Sequence, residues 1–235
     1  MTISVTSSGP IIGGVTVPSI GSATLGTMLS AISDDIDDTT GEYSNQIATA
    51  ILSAIRFCER ETYYFNETRD VTFSTVDGQE FYTSVDNAAI ATLVHIESAW
   101  KEDTAGQRTA IRRVLPDDIE LLADANASRG EPYCWSYFAQ KVRLYPVPSV
   151  TVFTIRLVVA PYRLDPLTAV DSTNAWLTEA YDMIKARAKY ILAMDTLKDP
   201  PVATAALADY NNQRQFLLAE TSSRNGTGTV QATSF

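Results

Sequence analysis

The chain has 235 residues, of which 45% are hydrophobic and 20% are charged, so it is long and apolar enough to bury a core. Its formal net charge is -10, and an average surface of this sign repels phosphate. No Lys/Arg-rich block offers a local basic patch, which disfavours nucleic-acid binding. No stretch of about 18 uninterrupted apolar residues occurs, so the sequence predicts no transmembrane helix.

Residues 1–22 are expected to form an extended N-terminal arm. They contain no charged side chain and mix Ser, Thr, Gly and Pro with a few β-branched residues, a composition too broken for a core. The missing positive charge and the interrupting glycines and prolines exclude a secretory signal peptide. Two interpretations stay open: an arm that becomes ordered on a neighbouring surface as an added strand, and a flexible chain end.

Helical periodicity begins after this arm. Apolar residues from Leu25 to Ile36 recur at helical spacing behind Thr24, which is a suitable N-cap. A second amphipathic helix is predicted from Ser44 to Phe65. Each helix needs a partner to cover its apolar face.

From Thr68 to Val159 the apolar period changes to two, which is typical of β-strands. The Asp77-Gly78 pair predicts a hairpin between a strand that ends near Thr75 and one that begins at Phe81. One short helix, opened by Pro116, interrupts the region. Further strands are predicted at 93–100, 109–114, 133–138, 142–145 and 152–159.

Helical spacing returns at Asn174, which can cap a helix that reaches Leu192, and a last helix follows Pro200-Pro201 and ends near Ser223. We therefore predict an α+β fold that is mainly an α-helical bundle with an inserted antiparallel β-sheet domain and extended N- and C-terminal arms. The predicted domains are an N-terminal arm (1–22), a helical bundle (23–66 and 174–224), a β-rich insertion (67–173) and an uncharged C-terminal tail (225–235).

The side chains that could carry catalysis do not form a recognisable set. His95 is the only histidine, and Glu97 on the same face of its predicted strand could orient it, but no nucleophile motif completes a hydrolase mechanism. Cys58 and Cys134 lack metal-ligand spacing, and we interpret both as small buried hydrophobic residues. The absence of a Gly-Lys dipeptide excludes a Walker A loop. The sequence predicts no enzyme, no cofactor and no metal.

The densest carboxylate cluster consists of Asp34, Asp35, Asp37 and Asp38. An EF-hand calcium loop fails on register, because Thr40 and Gln46 would occupy the positions that require Gly and Glu. Two interpretations remain: a solvated acidic turn, and a contact with a basic partner surface.

Aromatic side chains alternate with others along the predicted strands. Such a row can stack on sugars or bases, or it can fill the core of a sheet. The first possibility supports an alternative function as a carbohydrate- or host-surface-binding structural module. The residues concerned are Tyr63, Tyr64, Tyr82, Tyr133, Trp135 and Tyr137.

The most distinctive stretch lies between Ile111 and Asp199. It reads R-R-V-L-P-D-D-I-E-L-L from Arg112, then G-E-P-Y-C-W-S-Y-F from Gly130, V-R-L-Y-P-V-P-S from Val142, and N-A-W-L-T-E-A-Y from Asn174. The order is a short acidic helix, a Gly-x-Pro strand, a Leu-Tyr-Pro-x-Pro strand end, an apolar strand and an Asn-capped helix. This pattern resembles the head-to-tail adaptor proteins, also called head-completion proteins, of tailed phages, especially short-tailed ones.

The resemblance implies a structural virion protein of the head-tail junction, assembled in the host cytoplasm. It implies a homo-oligomeric ring of twelve subunits that docks on the portal protein and gives the tail nozzle or other tail proteins an attachment platform. DNA would pass through a central channel without specific binding, and no membrane partner is implied. The C-terminal tail would reach the portal, and we name Arg224, Val230 and Phe235 as candidate portal contacts, because Arg and aromatic side chains are frequent interface anchors.

Overall fold

The computed structural model of the chain describes residues 11–12, 15–16, 23–122, 128–224 and 226. This part of the chain mixes six α-helices with a large, mostly antiparallel sheet. The helical segments also include a 3₁₀ turn (Ala88–Thr92) and a π-helical turn (Ala193–Leu197). The α-helices are α1 (Leu25–Asp35), α2 (Ser44–Cys58), α3 (Pro116–Leu122), α4 (Ala175–Thr178), α5 (Tyr181–Leu192) and α6 (Pro200–Arg224).

The strands are β1 (Ile11–Ile12), β2 (Val15–Thr16), β3 (Thr68–Ser74), β4 (Phe81–Tyr82), β5 (Ile96–Glu102), β6 (Arg108–Arg113), β7 (Arg129–Gly130), β8 (Cys134–Phe138), β9 (Lys141–Tyr145), β10 (Val147–Pro148) and β11 (Thr154–Val159). Seven of them form the main sheet in the order β3-β11-β5-β6-β8-β9-β4. All its neighbouring strands are antiparallel except β6 and β8, which run parallel. β1 pairs with β2 in the predicted N-terminal arm, and β7 pairs with β10.

The chain folds into two compact units. A helical unit comprises Met1–Cys58 and Leu164–Phe235, and a sheet unit comprises Glu59–Arg163. Within the helical unit, α5 packs against α1, α2 and α6, and α1 packs against α2. The mixture of helices and an antiparallel-rich sheet agrees with the predicted class, whereas the mainly helical bundle stays a prediction.

α1 begins where its sequence predicts. Thr24 Oγ1 accepts a hydrogen bond from the Thr27 N–H at 3.2 Å, and Thr27 Oγ1 accepts one from the Thr24 N–H at 2.8 Å. This reciprocal pair satisfies two backbone donors that the first helical turn leaves unpaired. The apolar face that follows is buried through Leu25, Met28 and Ile32.

α2 is shorter than predicted, because it ends at Cys58 and not at Phe65. The buried side chain of Asn66 organises the chain beyond it, accepting from the Tyr63 N–H at 2.7 Å and donating to the Glu61 carbonyl at 2.9 Å. Tyr63 and Phe65 stack on each other with ring centroids 5.7 Å apart. Their apolar spacing therefore reflects a packed turn and not a continued helix.

The helix predicted from Asn174 is capped as expected but interrupted. Asn174 Oδ1 accepts from the Trp176 N–H at 3.1 Å, which starts α4. The backbone of Ala180 leaves the helical region with φ -122° and ψ 26°, so α5 begins as a separate helix. Trp176, Leu177 and Ile184 are nevertheless buried, as the helical spacing indicates.

The core of the sheet unit lies on one face of the main sheet. Alternate residues of each strand point inward, in keeping with the period of two. Full burial of a Val, Leu, Ile or Phe side chain contributes roughly 1.5–3 kcal/mol to the stability of the fold. The most buried members are Tyr82, Ile90, Trp135, Val142, Leu144, Ile155, Leu157 and Val159.

The predicted hairpin at Asp77-Gly78 is wrong. The chain does turn there, with Gly78 at φ 75°, but β3 pairs with β11 and β4 pairs with β9. β3 and β4 therefore lie at opposite edges of the sheet. A local turn sequence cannot reveal this, because the partners of the two strands come from distant parts of the chain.

β3 is a seven-residue edge strand whose outer side is partly occupied by side chains. Asn87 Nδ2 donates to the Thr72 carbonyl at 2.8 Å, and the Asp70 N–H donates to Thr68 Oγ1 at 3.2 Å. Two backbone groups of this edge thus have partners from the same chain.

Candidate functional site

The candidate catalytic side chains do not converge. His95 and Glu97 are both exposed around the start of β5. Cys58 and Cys134 are buried, and burial raises the pKa of the Cys134 thiol, which keeps it protonated and unreactive at neutral pH. Among the residues that the structure describes, no group of three or more His, Cys, Asp or Glu side chains could hold a metal ion. Over the same residues, no helix is both long and apolar enough to cross a membrane.

The acidic turn after α1 is closed by Asp38. Its carboxylate accepts hydrogen bonds from the backbone N–H groups of Tyr43 at 2.9 Å and Glu42 at 3.0 Å. These donors favour the ionised form and lower the pKa of Asp38. The Asp38 side chain therefore stabilises the turn that connects α1 to α2.

Asp35 joins α1 to α5. Its Oδ2 atom lies 3.0 Å from Lys185 Nζ and 2.9 Å from Lys189 Nζ. Partial burial alone would raise the pKa of Asp35, but the hydrogen bonds and positive charges of the two lysines lower it below its ordinary value. Two of the four clustered carboxylates thus have partners within the chain, and neither of the two sequence interpretations anticipated this.

Three of the six alternating aromatic residues are fully buried, so the row forms no continuous stacking platform. Trp135, Tyr82 and Tyr63 have no solvent exposure. The Tyr137 hydroxyl donates to two backbone carbonyls at 3.1 and 3.3 Å. Tyr133, which directly precedes β8, is exposed. The alternation therefore reflects the core of the sheet.

Arg143 is a buried cation that the sequence interpretation missed. Its Nε atom donates to Glu80 at 2.5 Å, and its Nη1 atom donates to Glu120 of α3 at 2.5 Å. The guanidinium carbon lies 5.1 Å from the centroid of the Phe81 ring. Arg143 therefore fastens α3 to the sheet. The available signal was a charged residue between Val142 and Leu144, which are both fully buried.

Lys101 plays a similar part on β5. Its ammonium group forms an ion pair with Glu131, donates to the Pro132 carbonyl at 3.3 Å, and lies 5.7 Å from the centroid of the Phe153 ring. The Gly-x-Pro stretch of the distinctive motif is thus tied to β5, an inner strand of the main sheet. The motif residues have structural roles.

In the helical unit, Arg187 lies among three aromatic rings. Its guanidinium carbon is 3.9 Å from the ring centroid of Phe57, 4.9 Å from that of Tyr190 and 5.3 Å from that of Tyr210. These residues belong to α2, α5 and α6. A single cation therefore links three helices through its contacts with ring faces.

Of the three candidate portal contacts, the structure describes one. Arg224 is exposed at the end of α6, where its side chain donates to Glu220 Oε1 at 3.0 and 2.6 Å. Val230 and Phe235 lie outside the described residues, as do most of the two predicted arms.

Comparison with known families identifies the kind of protein. The family model described as SU10 adaptor protein matches residues 23–232, which include the whole sheet unit and most of the helical unit. The chain belongs to this family. The resemblance to phage head-to-tail adaptors is thereby confirmed, and the adaptor is a structural phage protein that resides in the virion and contacts other virion proteins. No individual curated protein matches the adaptor. Residues 1–22 precede the matched region.

Proposed function

We propose that the adaptor is the subunit of a ring of twelve copies that docks on the portal protein at the head-tail junction. The ring gives the tail nozzle or other tail proteins their attachment platform, and it assembles in the host cytoplasm. The observation that carries this proposal is the family match across residues 23–232.

The exposed apolar side chains support a protein that is covered by other chains. Phe138, Val85 and Leu121 in the sheet unit and Phe216 in the helical unit are all largely exposed. A partner that covers such side chains removes their apolar surface from water, which favours association. The alternative function, a carbohydrate- or host-surface-binding module, is less favoured, since three of the six residues in the aromatic row are fully buried.

We assign the parts of the chain within this proposal as follows. The helical residues 23–66 and 174–224 and the β-rich residues 67–173 together build the ring subunit. The uncharged segments 1–22 and 225–235 hold the subunit to its neighbours, and the C-terminal tail contacts the portal through Arg224, Val230 and Phe235. Arg and aromatic side chains are frequent anchors at protein interfaces.

The net charge of -10 suits a channel through which DNA passes without being held. Carboxylates along such a channel repel the phosphate backbone, so the genome meets no specific binding surface.

The test is the mass of the assembled protein, measured by native mass spectrometry with and without the purified portal. We expect a complex of defined stoichiometry on the portal. A protein that stays monomeric and does not bind the portal would contradict the proposal.

A matched pair of truncations locates the portal contact. Removal of residues 225–235 should abolish binding to the portal, whereas removal of residues 1–22 should leave it intact. Circular dichroism of both truncated proteins checks that they remain folded. Equal portal binding by both would contradict the role assigned to the C-terminal tail.

A further inference from the structure

Exposed aromatic side chains lie at the β8–β9 hairpin end of the main sheet. Phe138, at the tip of the β8–β9 hairpin, is 71% exposed and pairs across the hairpin with the exposed Lys141. Phe81 of β4 pairs with Arg143, two residues along β9 from Lys141, so all four side chains share one face of the sheet. We name Phe81, Phe138 and Lys141 the aromatic tip.

Helix α3 covers the other end of this same face. Ile119 packs there on Cys134 and Tyr145. Next to this contact, Glu120 of α3 forms an ion pair with Arg143 on the same face of the sheet. The aromatic tip lies beyond it, and its two phenylalanines remain exposed.

The hairpin holds this tip at a conformational cost. Ala139 and Gln140 both have positive φ, at 49° and 59°. A non-glycine residue in the left-handed region costs roughly 1–2 kcal/mol. Two-residue hairpin turns of this kind require positive φ at both central residues, and this turn places Phe138 opposite Lys141.

The helical unit carries a surface of complementary chemistry. A pocket of about 230 Å³ lies between the segment 178–183 and the α6 residues Gln213, Phe216, Leu217 and Glu220. Glu179, Asp182 and Glu220 line it with carboxylates; Glu220 already accepts hydrogen bonds from Arg224, whereas Asp182 is exposed. Tyr181 supplies partly exposed apolar surface, and Met183 and Leu217 lie buried at the base of the site. Phe216 is 70% exposed beside it. We name this site the acidic pocket.

We propose that the aromatic tip of one copy of the adaptor docks in the acidic pocket of a second copy. The proposal rests on the proposed ring and names one contact that builds it. The Lys141 ammonium group would meet the carboxylates, and Phe138 and Phe216 would cover each other. This removes the two most exposed phenylalanines of the described residues from water in a single contact.

The two surfaces differ from each other, so the contact is head-to-tail. Each copy offers its tip to one neighbour and its pocket to the other, which generates a ring when the rotation between copies closes. A two-fold dimer, by contrast, would require one surface that pairs with itself.

Charge exchange within one chain tests the contact. Lys141→Glu and Asp182→Lys should each raise the protein concentration at which assembly occurs by about tenfold or more, since each places like charges in contact. The double variant with both substitutions should assemble at nearly the wild-type concentration. Sedimentation velocity measures the assembly, and thermal unfolding checks that each variant folds. Absence of rescue in the double variant would overturn the ion-pair component.

Mixing two defective proteins tests the head-to-tail geometry. A tip variant (Phe138→Ser with Lys141→Ser) and a pocket variant (Phe216→Ser with Asp182→Asn) should each be monomeric, and their neutral substitutions create no new charge pair between the defective tip and the defective pocket. Their equimolar mixture should form a 1:1 heterodimer and grow no further, because only one intact tip and one intact pocket remain. The mass of this heterodimer distinguishes it from a ring. A mixture that stays monomeric overturns the contact.

The outcomes separate this contact from the proposed ring. If the wild type forms a ring on the portal and both defective variants form the same ring, the contact is wrong and the ring proposal stands. If the wild type is monomeric both alone and with the portal and the mixture yields no heterodimer, both proposals fail.

Discussion

Arg143 is buried on β9 and holds carboxylates from two other parts of the sheet unit. A buried cation is favourable only while its partners are in place, because water no longer solvates it. Removing the cation leaves Glu80, which is largely buried, without its partner. The ion pair with the exposed Glu120 contributes less, since solvent screens it.

We therefore predict that Arg143→Ala lowers the free energy of unfolding of the sheet unit by about 2 kcal/mol or more. Arg108→Ala is the matched control and should cost less than about 1 kcal/mol, because Arg108 is itself exposed and its partner Glu102 keeps a second cation, Arg156, at 3.8 Å. Urea unfolding followed by tryptophan fluorescence measures both, since Trp135 lies in the core of the sheet unit. Equal losses in the two variants would contradict the assigned role of Arg143.

Asp35 gives the helical unit a pH-dependent contact. Its pKa is lower in the folded protein than its ordinary value of 3.8, so its contribution is present above that value. The contribution is lost as the pH falls through the lowered pKa of the folded state. The ion pairs are partly exposed, and screening by solvent reduces their strength.

Asp35→Asn should reduce the free energy of unfolding at pH 7 by about 0.5–1 kcal/mol, and the loss should shrink as the pH is lowered below about 4. Asp34→Asn, which removes the adjacent exposed carboxylate, is the control and should have little effect. Urea unfolding at a series of pH values provides the measurement. A loss that is independent of pH would show that the lysine contacts do not stabilise α1.

Local chemistry made several residues predictable from the sequence. Thr24 and Asn174 cap helices as expected, because a capping side chain bonds to backbone groups only two or three residues away. Arg143 and Lys101 could not be predicted, since their partners Glu80 and Glu131 are distant in sequence. The family resemblance rested on turn and cap residues of the same local kind.

At the scale of elements, the alternation of apolar residues predicted most of the strands but not their neighbours. β3 and β4 follow one another in sequence yet occupy opposite edges, and β6 runs parallel to β8. Strand order depends on packing between distant segments, which periodicity does not encode. Alternation also could not show that Phe138 would remain exposed, because that depends on where α3 stops covering the sheet.

The β8–β9 hairpin allows a direct test of backbone strain. Replacing Ala139-Gln140 by Asn-Gly should stabilise the sheet unit by about 1–2 kcal/mol, since both positions have positive φ. Gln107→Gly, at a loop residue without positive φ, should give no gain. Thermal unfolding compares the two. A gain of equal size in both would contradict the assigned strain.

For the whole molecule, the acidic balance predicts weak interaction with DNA. The proposed ring should not retain double-stranded DNA even at low salt, on the order of 50 mM, where electrostatic binding is strongest. A filter-retention assay measures this, with a basic DNA-binding protein of similar mass as the positive control. Tight retention would contradict a channel that lets the genome pass freely.

Two side chains of the adaptor limit strand pairing between copies at high local concentration. Asn87 and Thr68 occupy backbone groups along the outer side of β3. An unprotected edge strand would offer these groups to the sheet of an adjacent molecule, and such pairing leads to fibrous aggregates. At high local concentration, the capped edge of β3 therefore limits strand pairing between neighbouring copies. Copies of the protein then associate through side-chain contacts.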